Sequence, residues 1–288
     1  MVLGALLSSG IILWGILTSS FFGMSFEPDS PVKKVSVLNW AVKKKAAYHL
    51  AKKDAVYKEW ADKFPEVSQA TSADDLIMSA SSADALGNKS YELYSRFADN
   101  ILLELALFIG IIHIILSMVR DLDRNIVNLG WIFVLIGAYL YIPNYLDATS
   151  YSQFLFGLNR ENAAEQGVYL MCGGAAFSLI ASLIKNRWMG IFEVMTSVQL
   201  LSDVLSYLRL YALGLAGAIF SATVNELAGM AIFVIGLPIL LAGHTINIVL
   251  GLMGGVIHGL RLNFLEWYHY SFEGGGRKFT PLKKIEIE

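Results

Sequence analysis

The sequence predicts an all-α polytopic membrane protein with six transmembrane helices, the last two long and tilted, and one partly helical extramembrane loop. Three observations predict this fold. Of the 288 residues, 55% are hydrophobic and only 16% are charged, whereas soluble proteins average about 25% charged residues. The apolar residues fall in six long runs, and a run of about 20 residues crosses a bilayer. A polar stretch of quite different composition separates the first two runs.

The six apolar runs define the membrane spans. They comprise residues 2–23, 101–119, 129–146, 168–184, 191–228 and 230–268. The last two exceed the length of a perpendicular crossing, so we expect them to be tilted or kinked, with Pro238 as a candidate kink. The predicted segments are a first membrane helix (1–23), a Lys-rich extramembrane loop (24–100), three membrane helices (101–190), two long tilted helices (191–270) and a cytoplasmic tail (271–288).

The loop at 24–100 is lysine-rich in its first part and rich in Ser, Ala and Asp in its later part. An approximate apolar stripe predicts that part of it forms an amphipathic helix, and its residues are Trp40, Val42, Ala46, Ala47, Leu50 and Ala51. Two interpretations remain open for this loop. It forms a solvated surface cap, or it contacts lipid headgroups or a partner subunit.

Basic residues in the short loops predict the topology. They follow the second, fourth and sixth spans and are Arg120, Arg124, Lys185, Arg187, Arg277, Lys278, Lys283 and Lys284. The positive-inside rule then places both termini in the cytoplasm. The lysine-rich loop falls outside against this rule, but loops longer than about 60 residues translocate largely regardless of charge.

Charge and motifs exclude several classes of function. The chain has 22 basic and 24 acidic residues, so it is not a basic nucleic-acid-binding protein. It contains no GxxxxGK[ST], HExxH or GxSxG motif, and we therefore expect no nucleotide hydrolysis or intramembrane hydrolysis by this chain. We expect no cofactor and no metal. The lone Cys172 cannot form a disulfide framework.

Arg209 is the most unusual residue of the fifth span, because an arginine inside a membrane costs at least about 2.5 kcal/mol. Helical spacing places it on one face with Ser202, Ser206, Ala212 and Ala216. These small side chains let another helix approach the guanidinium closely. This pattern favours a cation that faces an ion path, and the alternative is a structural ion pair with Asp203.

The sixth span repeats this pattern along one stripe. Polar groups and glycines lie within an arc of about 100°, and they are His244, Asn247, Gly251, Gly254, His258 and Arg261. The stripe predicts a hydrated or closely packed seam. The alternatives are packing through small residues, to which a GxxxG at Gly251 and Gly255 points weakly, and a snorkelling Arg261 near the helix end.

Further polar residues are candidates for two aqueous half-channels. The set comprises Glu193, Gln199, Ser202, Asp203, Ser206, Glu226, His244, Asn247 and His258. Glu193 and Glu226 lie toward opposite ends of the fifth span, where two vestibules would need acidic mouths. Glu104 and His113 in the second span are weaker candidates, and for His113 the alternative is an interhelical hydrogen bond.

Several motifs resemble subunit a of V-type and A/V-type rotary ATPases, which is called subunit I in bacteria and archaea. They are SYLRLYAL at 206–213, HGLRLNFLE at 258–266, FEGGGRKFTP at 272–281, FFG at 21–23 and GIIH at 110–113. The resemblance covers the whole chain in order. It implies an ion-translocating stator subunit that is not itself an enzyme, in a bacterial or archaeal cell membrane.

The resemblance also implies a mechanism and partners. A ring of proteolipid c/K subunits rotates past 191–270, which form the ion-path seam. The residue matching the family's essential arginine, Arg209, forces each passing carboxylate into its ionised form, and Arg261 matches the second family arginine. The implied partners are this ring, the peripheral and central stalk subunits, and membrane lipid, with no nucleic acid. ATP hydrolysis or synthesis takes place on other subunits.

The chain departs from the family pattern in two ways. Family members carry a cytoplasmic N-terminal half and eight spans, so the sequence is expected to lack that half and the first two spans. Where eukaryotic relatives have a half-channel histidine and glutamate, this chain has Gly217 and Gly251. A stand-alone transporter or channel and a non-functional truncated copy therefore remain alternatives, and the choice between proton and sodium stays open.

Overall fold

The structure, a computed structural model, describes residues 2–24, 26–83, 89–187 and 194–268. Nearly all of these residues are helical. The α-helices are α1 (Val2–Thr18), α2 (Pro31–Lys34), α3 (Val37–Lys52), α4 (Ala55–Lys63), α5 (Ala73–Ser79), α6 (Glu92–Arg120), α7 (Val127–Tyr145), α8 (Tyr151–Phe154), α9 (Arg160–Asn186), α10 (Val194–Ser206), α11 (Leu208–Met230) and α12 (Phe233–Arg261). A 3₁₀ turn (Pro65–Gln69), a π-helical turn (Leu262–Trp267) and an antiparallel pair, β1 (Ser81–Ala83) and β2 (Lys89–Tyr91), complete these elements.

The predicted all-α polytopic membrane fold is confirmed. In the described part of the chain, five stretches are long and apolar enough to cross a membrane, and they are Glu92–Arg120, Val127–Tyr145, Arg160–Lys185, Met195–Met230 and Phe233–Trp267. The first predicted span is also helical, but α1 has 17 residues and ends at Thr18. The chain leaves the helix at Ser19, whose φ of 51° is left-handed.

Helix α6 begins nine residues before the predicted span and supports the extramembrane loop. Its 29 residues measure roughly 44 Å, more than the roughly 30 Å of a bilayer core. Its first turns contribute Leu93 and Phe97 to a buried core with the described loop residues 26–83 and 89–91, which we call the loop domain. The loop is therefore a folded unit that packs on an extension of a membrane helix.

Helix α3 confirms a helix within the loop, but the predicted stripe was partly wrong. Val42 and Ala46 are buried as expected, whereas Trp40, Ala47 and Ala51 are exposed. The buried face is instead completed by the apolar Leu38 and Ala41 and by the polar Asn39, Lys45 and His49. The pattern misled because two of the side chains that face the core are basic.

Close helix packing in the membrane region depends on glycines. Between α7 and α9, a Cβ on Gly174 would lie 2.5 Å from the carbonyl oxygen of Gly130. Between the antiparallel α11 and α12, a Cβ on Gly243 would lie 2.5 Å from Val224 Cγ1. Small residues allow such close approach of helices in a membrane. Six of the thirteen candidate functional residues lie on the α11–α12 pair, and four more lie on α10.

The two long terminal spans differ in regularity, and the kink expected at Pro238 stays a prediction. Helix α12 continues through Pro238, and its regular geometry ends only at the π-helical turn after Arg261. The fifth span, by contrast, is interrupted at Tyr207 between α10 and α11. Pro238 is the sixth residue of α12, so it leaves the Val234 carbonyl without its intrahelical N–H donor, and the helix continues on both sides of it.

Candidate functional site

The chain makes a turn at Tyr207, just before Arg209. The Tyr207 N–H donates to the Val204 carbonyl at 3.1 Å, and the Leu210 N–H donates to the Tyr207 carbonyl at 3.0 Å. These three-residue bonds tighten the helix locally. The Tyr207 ring packs on α6 at Gly110, where a Cβ would lie 2.6 Å from Tyr207 Cγ, and its hydroxyl hydrogen-bonds His113 Nδ1.

Arg209 consequently points away from α6. Two residues along a helix turn by about 200°, so the side that carries Arg209 lies opposite the buried face of Tyr207. The Arg209 side chain is half-exposed, and within the described residues its guanidinium has no hydrogen-bond or ion-pair partner. The alternative of a structural pair with Asp203 therefore finds no support, since Asp203 is buried and makes its contact elsewhere.

The small-residue face around Arg209 is open. Within the chain, Ser202, Ala212 and Ala216 are exposed and Ser206 is half-exposed. The Ser206 hydroxyl donates to the Ser202 carbonyl at 3.2 Å within its own helix. Among the described residues, no side chain from another helix hydrogen-bonds to the strip of small residues beside the guanidinium.

The register of the α11–α12 pair places His258 beside Arg209. Gly254 packs against Leu213, because a Cβ at Gly254 would lie 2.6 Å from Leu213 Cδ2. Four residues back along α11 from Leu213 is Arg209, and four residues on along α12 from Gly254 is His258. Since the helices are antiparallel and four residues make about one turn, we infer that both side chains lie at one level. Among the described residues, the buried His258 Nδ1 atom has no hydrogen-bond partner.

Polar groups continue along the seam of this helix pair. The Asn247 Nδ2 atom donates to Ser221 Oγ at 2.6 Å and to the Gly217 carbonyl at 3.0 Å. One turn away, His244 Nε2 lies 2.9 Å from Asn225 Oδ1. Asn247 and His244 thus lie between the helices as the stripe predicted, and Gly254 does too. Gly251 and Gly255 do not, since a Cβ on either would meet open space.

The FFG motif closes one end of this seam. Asn225 Nδ2 donates to the Phe22 carbonyl at 2.7 Å, and the Phe22 ring meets His244 edge-on with centroids 5.4 Å apart. Gly23 has a φ of +70°, and a Cβ there would lie 2.6 Å from the Ala222 amide nitrogen. Only glycine fits this left-handed, close approach, so the motif ties the first helix to α11.

Arg261 lies in a second polar cluster at the end of α12. Its Nε atom is 3.9 Å from Glu266 Oε1, and its side chain is 47% exposed whereas that of Glu266 is 3% exposed. The adjacent Trp267 ring stacks on His113 with centroids 4.6 Å apart, and its carbonyl accepts from Ser117 Oγ at 2.6 Å. These contacts hold the π-helical turn against α6.

The remaining candidate residues lie in different environments. Gln199 is exposed and Glu226 is half-exposed, both on the fifth span, whereas Glu193 lies outside the described residues. His113 forms an interhelical hydrogen bond with Tyr207, as its alternative interpretation predicted. Glu104 lies apart from the seam. Its Oε1 accepts from the Tyr139 hydroxyl at 2.9 Å, the Tyr151 N–H at 2.8 Å and the Ser150 hydroxyl.

The sequence did not single out four residues that shape the site. Tyr207 forms the turn before Arg209, and Ser221 hydrogen-bonds Asn247. Glu266 pairs with Arg261, and the Trp267 ring stacks on His113. The signal that could have found Glu266 is its position five residues after Arg261. Tyr207 and Trp267 carry no such signal, because aromatic residues are common near membrane interfaces.

Comparisons with known proteins place this arrangement in a family. No protein-family model matches the chain, and no solved structure matches it. The V-type ATP synthase subunit I of Chlamydia pneumoniae is 43% identical over 281 residues, which cover 98% of this chain and 43% of that protein. The subunit I of Chlamydia muridarum is 39% identical over 97% of this chain and 43% of its own length.

A more distant relative matches a smaller part of the chain. The A-type ATP synthase subunit I of Methanocaldococcus jannaschii is 31% identical over 196 residues, which cover 63% of this chain and 28% of that protein. The chain thus spans well under half the length of the curated relatives that it matches. It belongs to the family of V-type and A-type ATP synthase subunit I, the membrane subunit of a rotary ATPase.

Proposed function

We propose that this chain is the ion-translocating stator part of a V/A-type rotary ATPase, and that Arg209 meets the carboxylates of a passing ring of proteolipids. The observation that carries the proposal is the half-exposed Arg209 guanidinium without a partner in the described residues. A charge inside a membrane segment is costly unless an anion or water meets it. The open strip of small residues beside Arg209 gives a partner helix room to supply that anion.

The chemistry of the guanidinium suits this role. An arginine side chain stays protonated at all physiological pH values. A carboxylate that approaches it is stabilised in its ionised form, so a proton or sodium ion carried by that carboxylate is released. When rotation moves the carboxylate away into an apolar surrounding, desolvation favours its neutral or ion-loaded form again. The arginine thereby separates release from reloading.

Two groups of polar residues support half-channels on either side of Arg209. His244 and Asn247 extend along the α11–α12 seam with their partners on α11. His258 lies at the level of Arg209, and Arg261 lies beyond it with Glu266. The buried atoms His244 Nδ1, His258 Nδ1 and Glu266 Oε2 have no hydrogen-bond partner within the described residues. Such atoms favour contact with water or a moving ion.

The outer surface of α12 supports a close neighbour in the membrane. Gly251, Gly255 and Gly259 follow one another at four-residue spacing, and a Cβ on any of them would meet open space among the described residues. Small residues at this spacing allow close helix approach. We propose that this surface and the Arg209 face accommodate the ring, that stalk subunits complete the complex, and that both termini are cytoplasmic. Catalysis on ATP belongs to other subunits.

Replacement of Arg209 by Ala tests the proposal in membrane vesicles that contain the assembled complex. We expect ATP-driven ion uptake to be abolished while the subunit remains in the membrane at normal abundance. Arg120→Ala is the matched control, because Arg120 is an exposed arginine at the end of α6 outside the seam. Ion uptake retained by the Arg209→Ala complex would contradict the proposed role of this residue.

A further inference from the structure

A cavity outside the Arg209 seam holds a buried cation that the proposed mechanism does not use. The cavity has a volume of about 540 Å³ and lies between α1, α6 and α11. Most of its wall is apolar, and Lys33 from the short helix α2 lines it. Lys33 is only 7% exposed. A charged side chain so completely buried is rare unless an anion meets it.

The Lys33 ammonium has no anionic partner in the described part of the chain. Its Nζ atom lies 3.7 Å from the centroid of the Tyr94 ring, which is a cation–π contact, and no carboxylate lies within ion-pair distance of it. Burial lowers the pKa of Lys33 to about 8, so the group still carries its charge at neutral pH. The aromatic ring compensates for only part of the lost hydration.

The position of Lys33 matches the level of lipid headgroups. Helix α1 is an apolar helix that ends at Thr18, and the next residue, Ser19, donates through Oγ to the Val32 carbonyl at 3.1 Å. This bond fixes α2, and with it Lys33, at the end of an apolar helix and the start of the polar loop domain. Trp14 and Trp40, each about half-exposed, lie nearby as residues that favour the membrane interface.

The cavity continues into an apolar groove. A second space of about 310 Å³ is lined by apolar side chains of α1, α3, α6 and α8. It shares five lining residues with the first cavity, and these are Trp14, Thr18, Leu38, Leu102 and Leu105. The two spaces therefore adjoin each other, one beside a cation at the headgroup level and the other with an almost wholly apolar wall. A small inorganic anion would contact the cation but would leave the apolar groove unfilled.

We propose that Lys33 and the two adjoining cavities bind one anionic phospholipid, with its phosphate at the Lys33 ammonium and an acyl chain along Trp14, Leu102 and Leu105. This inference does not depend on the role of Arg209. Asp99 also lines the cavity, on α6 and five residues beyond Tyr94. Its carboxylate disfavours an anion, so the phosphate is expected at the Lys33 end.

The test is lipid retention by the full chain purified in mild detergent, measured by native mass spectrometry. Phosphatidylglycerol is offered in competition with phosphatidylcholine of the same acyl chains. Lys33→Gln is expected to weaken phosphatidylglycerol retention about tenfold, the scale of one charge-assisted hydrogen bond. Lys34→Gln is the matched control, because it removes the same charge from an exposed neighbour, and we expect it to retain lipid as the unmodified chain does. Asp99→Asn is expected to increase retention.

A second measurement needs no change at Lys33. Phosphatidylglycerol with brominated acyl chains is expected to quench the Trp14 fluorescence, identified by its loss in Trp14→Phe, more than brominated phosphatidylcholine does. Equal retention of the two lipids, equal effects of Lys33→Gln and Lys34→Gln, or equal quenching would overturn the proposal. So would displacement of the lipid by millimolar inorganic phosphate, which would identify a small-anion site instead.

Discussion

Addition of one methyl group at Gly243 tests the close packing that positions the polar seam. A Cβ at this position would lie 2.5 Å from Val224 Cγ1 and 2.6 Å from Val224 Cγ2. Carbon atoms prefer a separation of about 3.5–4.0 Å, and valine is stiff about χ1. The helices must therefore move apart by roughly 1 Å. That displacement stretches the 2.6 Å bond from Asn247 to Ser221 beyond its normal length.

The expected cost follows from two opposing effects. Replacing glycine by alanine within a helix gains up to about 1 kcal/mol, whereas overpacking costs about 1–3 kcal/mol and the strained Asn247 bond about 1 kcal/mol more. We therefore expect Gly243→Ala to lower the free energy of unfolding by about 1–3 kcal/mol. Gly251→Ala on the same helix is the control, because its Cβ would meet open space, and it should gain stability or leave it unchanged.

The assay is unfolding of the purified chain by a denaturing detergent, followed by circular dichroism for the two variants in parallel. A free energy of unfolding for Gly243→Ala equal to that of Gly251→Ala would refute the packing of α12 on α11. A stability loss in both variants would mean that the outer face of α12 is also covered within this chain.

Three further predictions concern other parts of the molecule. Gly174→Ala should destabilise the α7–α9 pair, because its Cβ would lie 2.5 Å from a backbone oxygen. Gly173→Ala should not, because its Cβ would meet open space. Thermal unfolding of the two variants measures this difference. Burial lowers the pKa of Lys45 from 10.5 to about 8, so the unfolded state binds more protons between these values. The stability of the loop domain should therefore rise with pH from about 8 to 10, and Lys45 contributes up to about 3 kcal/mol of this rise. Lys33, whose pKa burial also lowers to about 8, contributes comparably, so Lys45→Met should reduce the rise seen by calorimetry by about half. Tyr207→Phe leaves His113 without its interhelical bond and should lower the free energy of unfolding by about 1–3 kcal/mol. Tyr211→Phe should lower it little, and chemical unfolding of the two variants measures the difference.

The membrane spans were predictable because hydropathy directly reflects the requirement of the bilayer. Arg209 was singled out for the same reason, since a cation in an apolar run needs an explanation, and its role stays a prediction. His244 and Asn247 followed from helical spacing alone. Each of these predictions depended only on the local sequence and on the lipid that surrounds it. A single sequence contains all of that local information.

The parts that the sequence did not predict depend on tertiary contacts. The lysines at 33 and 45 belong to a stretch that looked solvated, yet both are buried against aromatic rings. The GxxxG at Gly251 and Gly255 pointed to packing, yet Gly236, Gly243 and Gly254 are the glycines of α12 that contact α11. Spacing defines a face of a helix, but it does not say which of several small-residue faces meets the neighbour.

Cysteine crosslinking in the assembled complex directly tests whether the face of α11 that carries Arg209 contacts the proteolipid ring. Ala212 is exposed on that face, and Cys172 is an exposed cysteine on α9, which packs on α7. In native membranes, Ala212→Cys in a Cys172→Ser background is expected to crosslink to a proteolipid subunit, whereas Cys172 in the unmodified chain is not. Crosslinking to proteolipid from Cys172 but not from position 212 would contradict the proposal that Arg209 faces the ring.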